Sequence, residues 1–126
     1  MAKLSKEIQK WIDIAQEDLE VARELFKSGR YLYSAFFCQQ AVEKIFKAII
    51  SFKTNEEPPY IHDLVMLAEK AGFHGVKEKL KMLTLHYIKA RYDEERKNLP
   101  AHKKTVCREL LSFAEEVLKW SSMRFK

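Results

Sequence analysis

The sequence predicts an all-α fold: an antiparallel up-and-down helical bundle of four long helices plus one short helix. Three observations carry that reading. Apolar residues recur at three- and four-residue spacing over long stretches. Only three Gly and three Pro interrupt 126 residues, too few for the turns of a sheet-rich fold. The chain is 47% hydrophobic and 33% charged, as a folded domain with a wet surface is and a disordered chain is not. At this length residues 1–126 make a single domain, and such a domain buries about two-thirds of the surface its unfolded chain exposes.

Helix 1 is predicted from about Ser5 to Ser28, where Ile8, Trp11, Ile12, Ala15, Leu19, Ala22 and Phe26 form one apolar stripe. Gly29 stops it, because glycine enters the left-handed conformation past a helix end without steric cost. Helix 2, about Arg30 to Phe52, is apolar on most of its circumference. Gln40, Glu43, Lys44, Lys47 and Ser51 form its narrow polar side. A helix of that kind is central, either within the bundle or at a subunit interface. Pro58 and Pro59 place a connector over residues 54–60. Helix 3 is short, about His62 to Ala71, with Gly72 as its stop. Helix 4 runs from about Gly75 to Tyr92, with Val76, Leu80, Leu83, Tyr87 and Ala90 inward. A polar loop, Asp93 to Pro100, leads to helix 5, about Ala101 to Ser121, which turns Val106, Leu110, Phe113, Ala114, Val117 and Leu118 inward. Short connections make successive helices antiparallel.

Several function classes drop away on composition. The four histidines, His62, His74, His86 and His102, form no His-x-x-x-His pair and no Glu-x-x-His motif, so no metal site is expected. Cys38 and Cys107 sit inside helical patterns as small buried hydrophobes, which fits a reducing, cytoplasmic location. The first residues, Met1 to Lys6, lack the apolar run of a signal peptide. No stretch approaches the length of a membrane span. There is no glycine-rich phosphate loop and no cofactor motif, so a nucleotide site must be built from Arg and Lys side chains. The net charge of +5 and pI near 9.2 permit an anionic partner without requiring one.

The strongest local anomaly is the stretch from Lys89 to Arg108, with Lys89, Arg91, Arg96, Lys97, Lys103, Lys104 and Arg108, and with His86 and His102 nearby. Asp93, Glu94 and Glu95 interrupt it. Such a run is either a solvated face or a basic pocket for phosphate. Arg91 is the leading phosphate ligand, because it ends helix 4 beside Tyr92 and an arginine fork donates two parallel hydrogen bonds. Arg96 and Lys97 join it as binding candidates. Arg96 and His102 also stand six positions apart across a loop entering a helix. Histidine moves protons near neutral pH and arginine stabilises charge on an attacked phosphate, so this pair suits metal-free RNA cleavage. The aromatic cluster Tyr31, Tyr33, Phe36 and Phe37 reads as core packing, with base stacking as the alternative.

The segments Ala15-Gln16-Glu17-Asp18-Leu19-Glu20-Val21-Ala22, Gly29-Arg30-Tyr31, Ala35-Phe36-Phe37-Cys38-Gln39-Gln40-Ala41-Val42-Glu43-Lys44 and Lys47-Ala48 together resemble the HEPN domain (higher eukaryotes and prokaryotes nucleotide-binding). His62-Asp63-Leu64 and Arg91-Tyr92 also fall where that family has them. The likeness spans nearly the whole chain and is strongest over helices 1 and 2. It implies an up-and-down bundle that commonly dimerises, often paired with a small nucleotidyltransferase as a toxin–antitoxin couple. It further implies either metal-independent ribonuclease activity through an Arg-x(4–6)-His motif, or nucleotide binding where that motif is degraded. Arg96 and His102 satisfy the spacing with five residues between them, with Pro100 inside the interval. The residue five beyond Arg91 is Arg96, not histidine.

The leading expectation is a HEPN-like domain that binds nucleotide or RNA phosphates through Arg91, Tyr92, Arg96 and Lys97 and pairs with a nucleotidyltransferase. The alternatives are an endoribonuclease using Arg96 and His102, and a purely structural dimeric interaction module. A homodimer is expected in each case, because helix 2 carries more apolar surface than a small monomer needs.

Overall fold

A computed structural model describes residues 4–92 and 96–125. The expected stretch Asp93–Glu95, with its three carboxylates, lies outside the described residues, as do residues 1–3 and 126. Among the described residues all the regular structure is helical, with α1 at Lys6–Lys27, α2 at Tyr31–Thr54, α3 at Leu64–Ala71, α4 at Lys77–Lys89 and α5 at Lys104–Ser121. A single 3-10 turn, Pro100–His102, precedes α5. The helices form the predicted up-and-down bundle.

Ser5 caps α1, its hydroxyl accepting from Ile8 N at 3.1 Å. At the other end Gly29 has φ 80°, and Arg30 N reaches back to Leu25 O at 2.8 Å. This is the six-to-one bond of a Schellman stop. Gly72, at φ 82°, ends α3 in the same way, with Phe73 N on Ala68 O at 2.9 Å. Asp63 caps α3 through Val65 N and Met66 N, so the helix begins two residues after the expected His62.

The central element is α2. Ala41, Val42, Ile45, Phe46, Ala48 and Ile49 are fully or almost fully buried, and α1, α3, α4 and α5 all pack on it. The apolar surface that the sequence left open to a subunit interface is thus covered by the chain's own helices. Phe73 and Trp120 close the lower core against Phe46, with ring centres 5.5 and 6.3 Å away.

Three expectations shift. Helix 4 is shorter than residues 75–92: Val76 is extended and half exposed, and the helix stops at Lys89. Arg91 therefore lies in the turn past the helix rather than in its last residues. Within α4 the buried position belongs to His86, while Tyr87 is only partly buried. Helix 5 starts at Lys104, not Ala101, because Lys103 is extended (φ −80°, ψ 131°) between the 3-10 turn and the helix. Cys38 and Cys107 are buried as expected. Burial pushes both thiols up, out of the reactive range.

Candidate functional site

The residues around the end of α4 assemble a cationic, aromatic-walled hollow. Tyr33, Phe36 and Phe37 project from the first turns of α2, and Ala90, Arg91 and Arg96 complete the lining of a space of ≈ 400 Å³. The Arg91 guanidinium carbon lies 4.8 Å from the centre of the Tyr87 ring. That ring stacks nearly parallel on Phe36, 5.6 Å away at 9°. The Arg96 guanidinium carbon lies 4.7 Å from the Tyr33 ring centre. Over its π-face the Arg91 guanidinium is held in place while its N–H edges can still meet an anion. Of the aromatic cluster read as core, Tyr31 is partly buried, whereas Tyr33 is 44% exposed.

Sequence reasoning thus placed Arg91 and Arg96 at one site, and the structure brings them together there. Tyr92 and Lys97 are exposed and do not line the hollow. His102 is exposed on the 3-10 turn and does not line it either. Arg96 and His102 are linked along the backbone by two successive turns, Leu99 N to Arg96 O at 3.2 Å and His102 N to Leu99 O at 3.1 Å.

His86 fixes this turn from below. Its Nδ1 lies 2.8 Å from Met82 O, and its Nε2 lies 3.0 Å from Ala101 N. An amide N–H can only donate, so Nε2 is the acceptor and Nδ1 carries the proton. The ring is fully buried and neutral. Burial holds its pKa below the ordinary histidine range, the Met82 bond opposes that, and the nearby His102 reinforces it. The buried imidazole is a structural clamp rather than a member of the basic patch.

A second polar assembly runs along α2, where the sequence showed only a polar side. Glu43 and Lys47 are both about 5% exposed and pair at 3.1 Å. Glu43 Oε1 also accepts from Gln39 Nε2 at 2.9 Å and meets His62 Nδ1 at 2.9 Å. Gln40 donates to Gln39 at 2.7 Å, and Lys44 bridges Gln40 at 2.9 Å and Asp18 at 3.1 Å. Burial alone raises the Glu43 pKa. The bonds from His62, Gln39 and Lys47 outweigh it and hold the carboxyl below its usual range. The available signal was the four-residue spacing of Gln39, Glu43 and Lys47 in an otherwise apolar helix.

A larger cleft of ≈ 460 Å³ lies between the start of α1 and the connector, reaching Ser5, Trp11, Lys47 and Tyr60. Glu7, Glu56 and Glu57 also line it, and its lysine is already engaged by Glu43, so it disfavours an anion. Among the described residues no group of His, Cys, Asp and Glu could hold a metal ion. Among the same residues no helix is long and apolar enough to cross a membrane.

The model of the HEPN domain matches residues 8–124. The chain belongs to the HEPN family. Its fold is similar to that in the crystal structure of TT1696 from Thermus thermophilus, with a TM-score of 0.76 over 95% of this chain and 99% of that one. Sequence identity there is 22%, so the likeness concerns the fold. No curated protein matches. Within this HEPN bundle, α2 supplies both the aromatic wall of the hollow and the buried ion network.

Proposed function

We propose that this HEPN domain binds the phosphates of a nucleotide or of RNA in the hollow at the end of α4. The observation that carries the reading is the convergence of Arg91 and Arg96 on one aromatic-walled space, each guanidinium seated over a tyrosine. The rings supply stacking surface for a base, and the arginines supply charge for its phosphate. In this reading the domain works beside a small nucleotidyltransferase in a toxin–antitoxin-like pair, as a homodimer whose contact lies away from the face of α2 that its own helices cover. Titration of a labelled single-stranded RNA tests the site. Affinity falls steeply with added salt as displaced counterions return, and removing one arginine lowers the slope by about one. Salt-independent binding, or none, overturns the proposal.

Metal-independent RNA cleavage is the second reading, favoured by the fixed turn that carries the exposed His102 two turns beyond Arg96. In that case cutting persists in EDTA and leaves cyclic phosphate ends. His102→Ala then slows it by about 100- to 10,000-fold, the usual cost of a lost general acid or base. RNA that stays intact with pure protein eliminates this reading and leaves the binding site standing.

A further inference from the structure

We propose that His62, anchored by the buried Glu43 carboxylate, is a ribose-recognition residue that makes the hollow prefer RNA to DNA. The inference rests on the phosphate-binding reading above and adds a sugar contact to it. His62 sits on the connector just before α3, with 54% of its side chain exposed. One edge of its ring is fixed: Nδ1 lies 2.9 Å from Glu43 Oε1. That carboxylate is buried and pairs with the Lys47 ammonium through its other oxygen, at 3.1 Å. An ionised carboxylate only accepts, so Nδ1 must donate. That leaves Nε2, on the opposite edge, as the ring nitrogen facing outward. Among the described residues Nε2 has no hydrogen-bond partner. The buried carboxylate thus holds an oriented ring nitrogen at the surface.

The position of that acceptor ties it to the hollow. The His62 ring packs against Tyr87, centre to centre 5.0 Å at 31°. Tyr87 is also the ring beneath the Arg91 guanidinium, and it stacks on Phe36 of the hollow's wall. His62, Tyr87, Arg91 and Phe36 therefore form one chain of contacts: a ring nitrogen, an aromatic platform and a cation. A backbone phosphate on Arg91 leaves its adjoining sugar over this platform. A ring nitrogen there meets a hydroxyl, which can donate or accept, and the hydroxyl a ribose offers and a deoxyribose lacks is the 2′-hydroxyl.

The test is a pair of labelled single strands of one sequence, both with uracil bases, one built on ribose and one on deoxyribose. Their affinities for the full chain are measured by fluorescence anisotropy at one salt concentration. Wild-type protein binds the ribose strand about three- to tenfold more tightly, the scale of one neutral hydrogen bond. His62→Phe keeps a ring against Tyr87 but removes Nε2. It binds both strands equally, at the wild-type deoxyribose affinity, which also shows that the variant is folded. Arg91→Ala weakens both strands alike. Equal affinities in the wild type, or a preference that survives in His62→Phe, overturn the ribose inference alone. A wild type that binds neither strand overturns the phosphate-binding reading with it.

Discussion

Two regions of α2 handle cations in opposite ways. Toward the middle of the helix, Lys44 and Lys47 each contact a carboxylate, Asp18 and Glu43, at 3.1 Å. At the start of the helix, the rings of Tyr33 and Phe36 face Arg91 and Arg96, whose guanidinium groups lie over aromatic surface. Among the described residues Arg91 makes no ion pair. A lysine neutralised by a buried acid serves the fold, since its attraction is spent internally. An arginine fixed by a π-face, as Arg91 is, is not neutralised by that contact. The contrast separates charge paired within the fold from charge left at the surface of one basic chain.

The largest effect expected from this contrast is at Glu43. Replacing it with Ala leaves the Lys47 ammonium buried and uncompensated, which costs about 3–5 kcal/mol in urea unfolding. The double variant Glu43→Leu with Lys47→Met recovers most of that loss if the pair is structural. No recovery breaks the assignment. Next comes Arg91→Ala. It weakens RNA binding by about 1.5–3 kcal/mol, the range for a charged hydrogen bond, with no change in the unfolding midpoint. A shifted midpoint with unchanged affinity reverses the roles of the two regions.

The smallest effect is a pH dependence with two parts. His86 is held neutral in the folded chain, so its folded pKa lies below its unfolded one, about 6.5. As pH falls below that value the unfolded chain takes up a proton that the folded chain refuses. Stability is complete above the unfolded pKa and declines as pH drops toward the folded one. Glu43 adds a separate loss, beginning below the ordinary glutamate range of about 4.3, as its lowered folded pKa is approached. Urea midpoints recorded from about pH 8 to about pH 5 isolate the first part, and His86→Gln flattens that segment. An unchanged slope in the variant shows that another group carries it.

How legible all this was depended on whether the cause was local. The helices follow from periodicity and from Gly29 and Gly72, whose left-handed stops are short-range features. Arg91 and Arg96 could be picked out because a charge run and an aromatic cluster are visible along the chain. That Arg96 would find Tyr33, on the distant α2, was not, since stacking partners are chosen by packing. His86 was misread for the same reason. It falls within a basic stretch of sequence, but α4 turns it inward and the Ala101 amide arrives from the next segment to meet it. His62 looked like the first residue of a helix. Asp63 takes the cap instead, and the histidine is left to pair with Glu43, nineteen positions away.

The engulfment of α2 has a kinetic consequence. Its longest neighbour is α1, joined to it through Ser28, Gly29 and Arg30 alone, so the two can zip together as a hairpin with little loop to close. Contacts that local favour rapid folding, with later helices docking on a hairpin already present. From Ile45 to Ile50 every residue of α2 is shielded. Those amides open only when the whole bundle does, so their hydrogen exchange reports global unfolding. The turn that carries Arg91, at the surface, lies toward the opposite end of that scale.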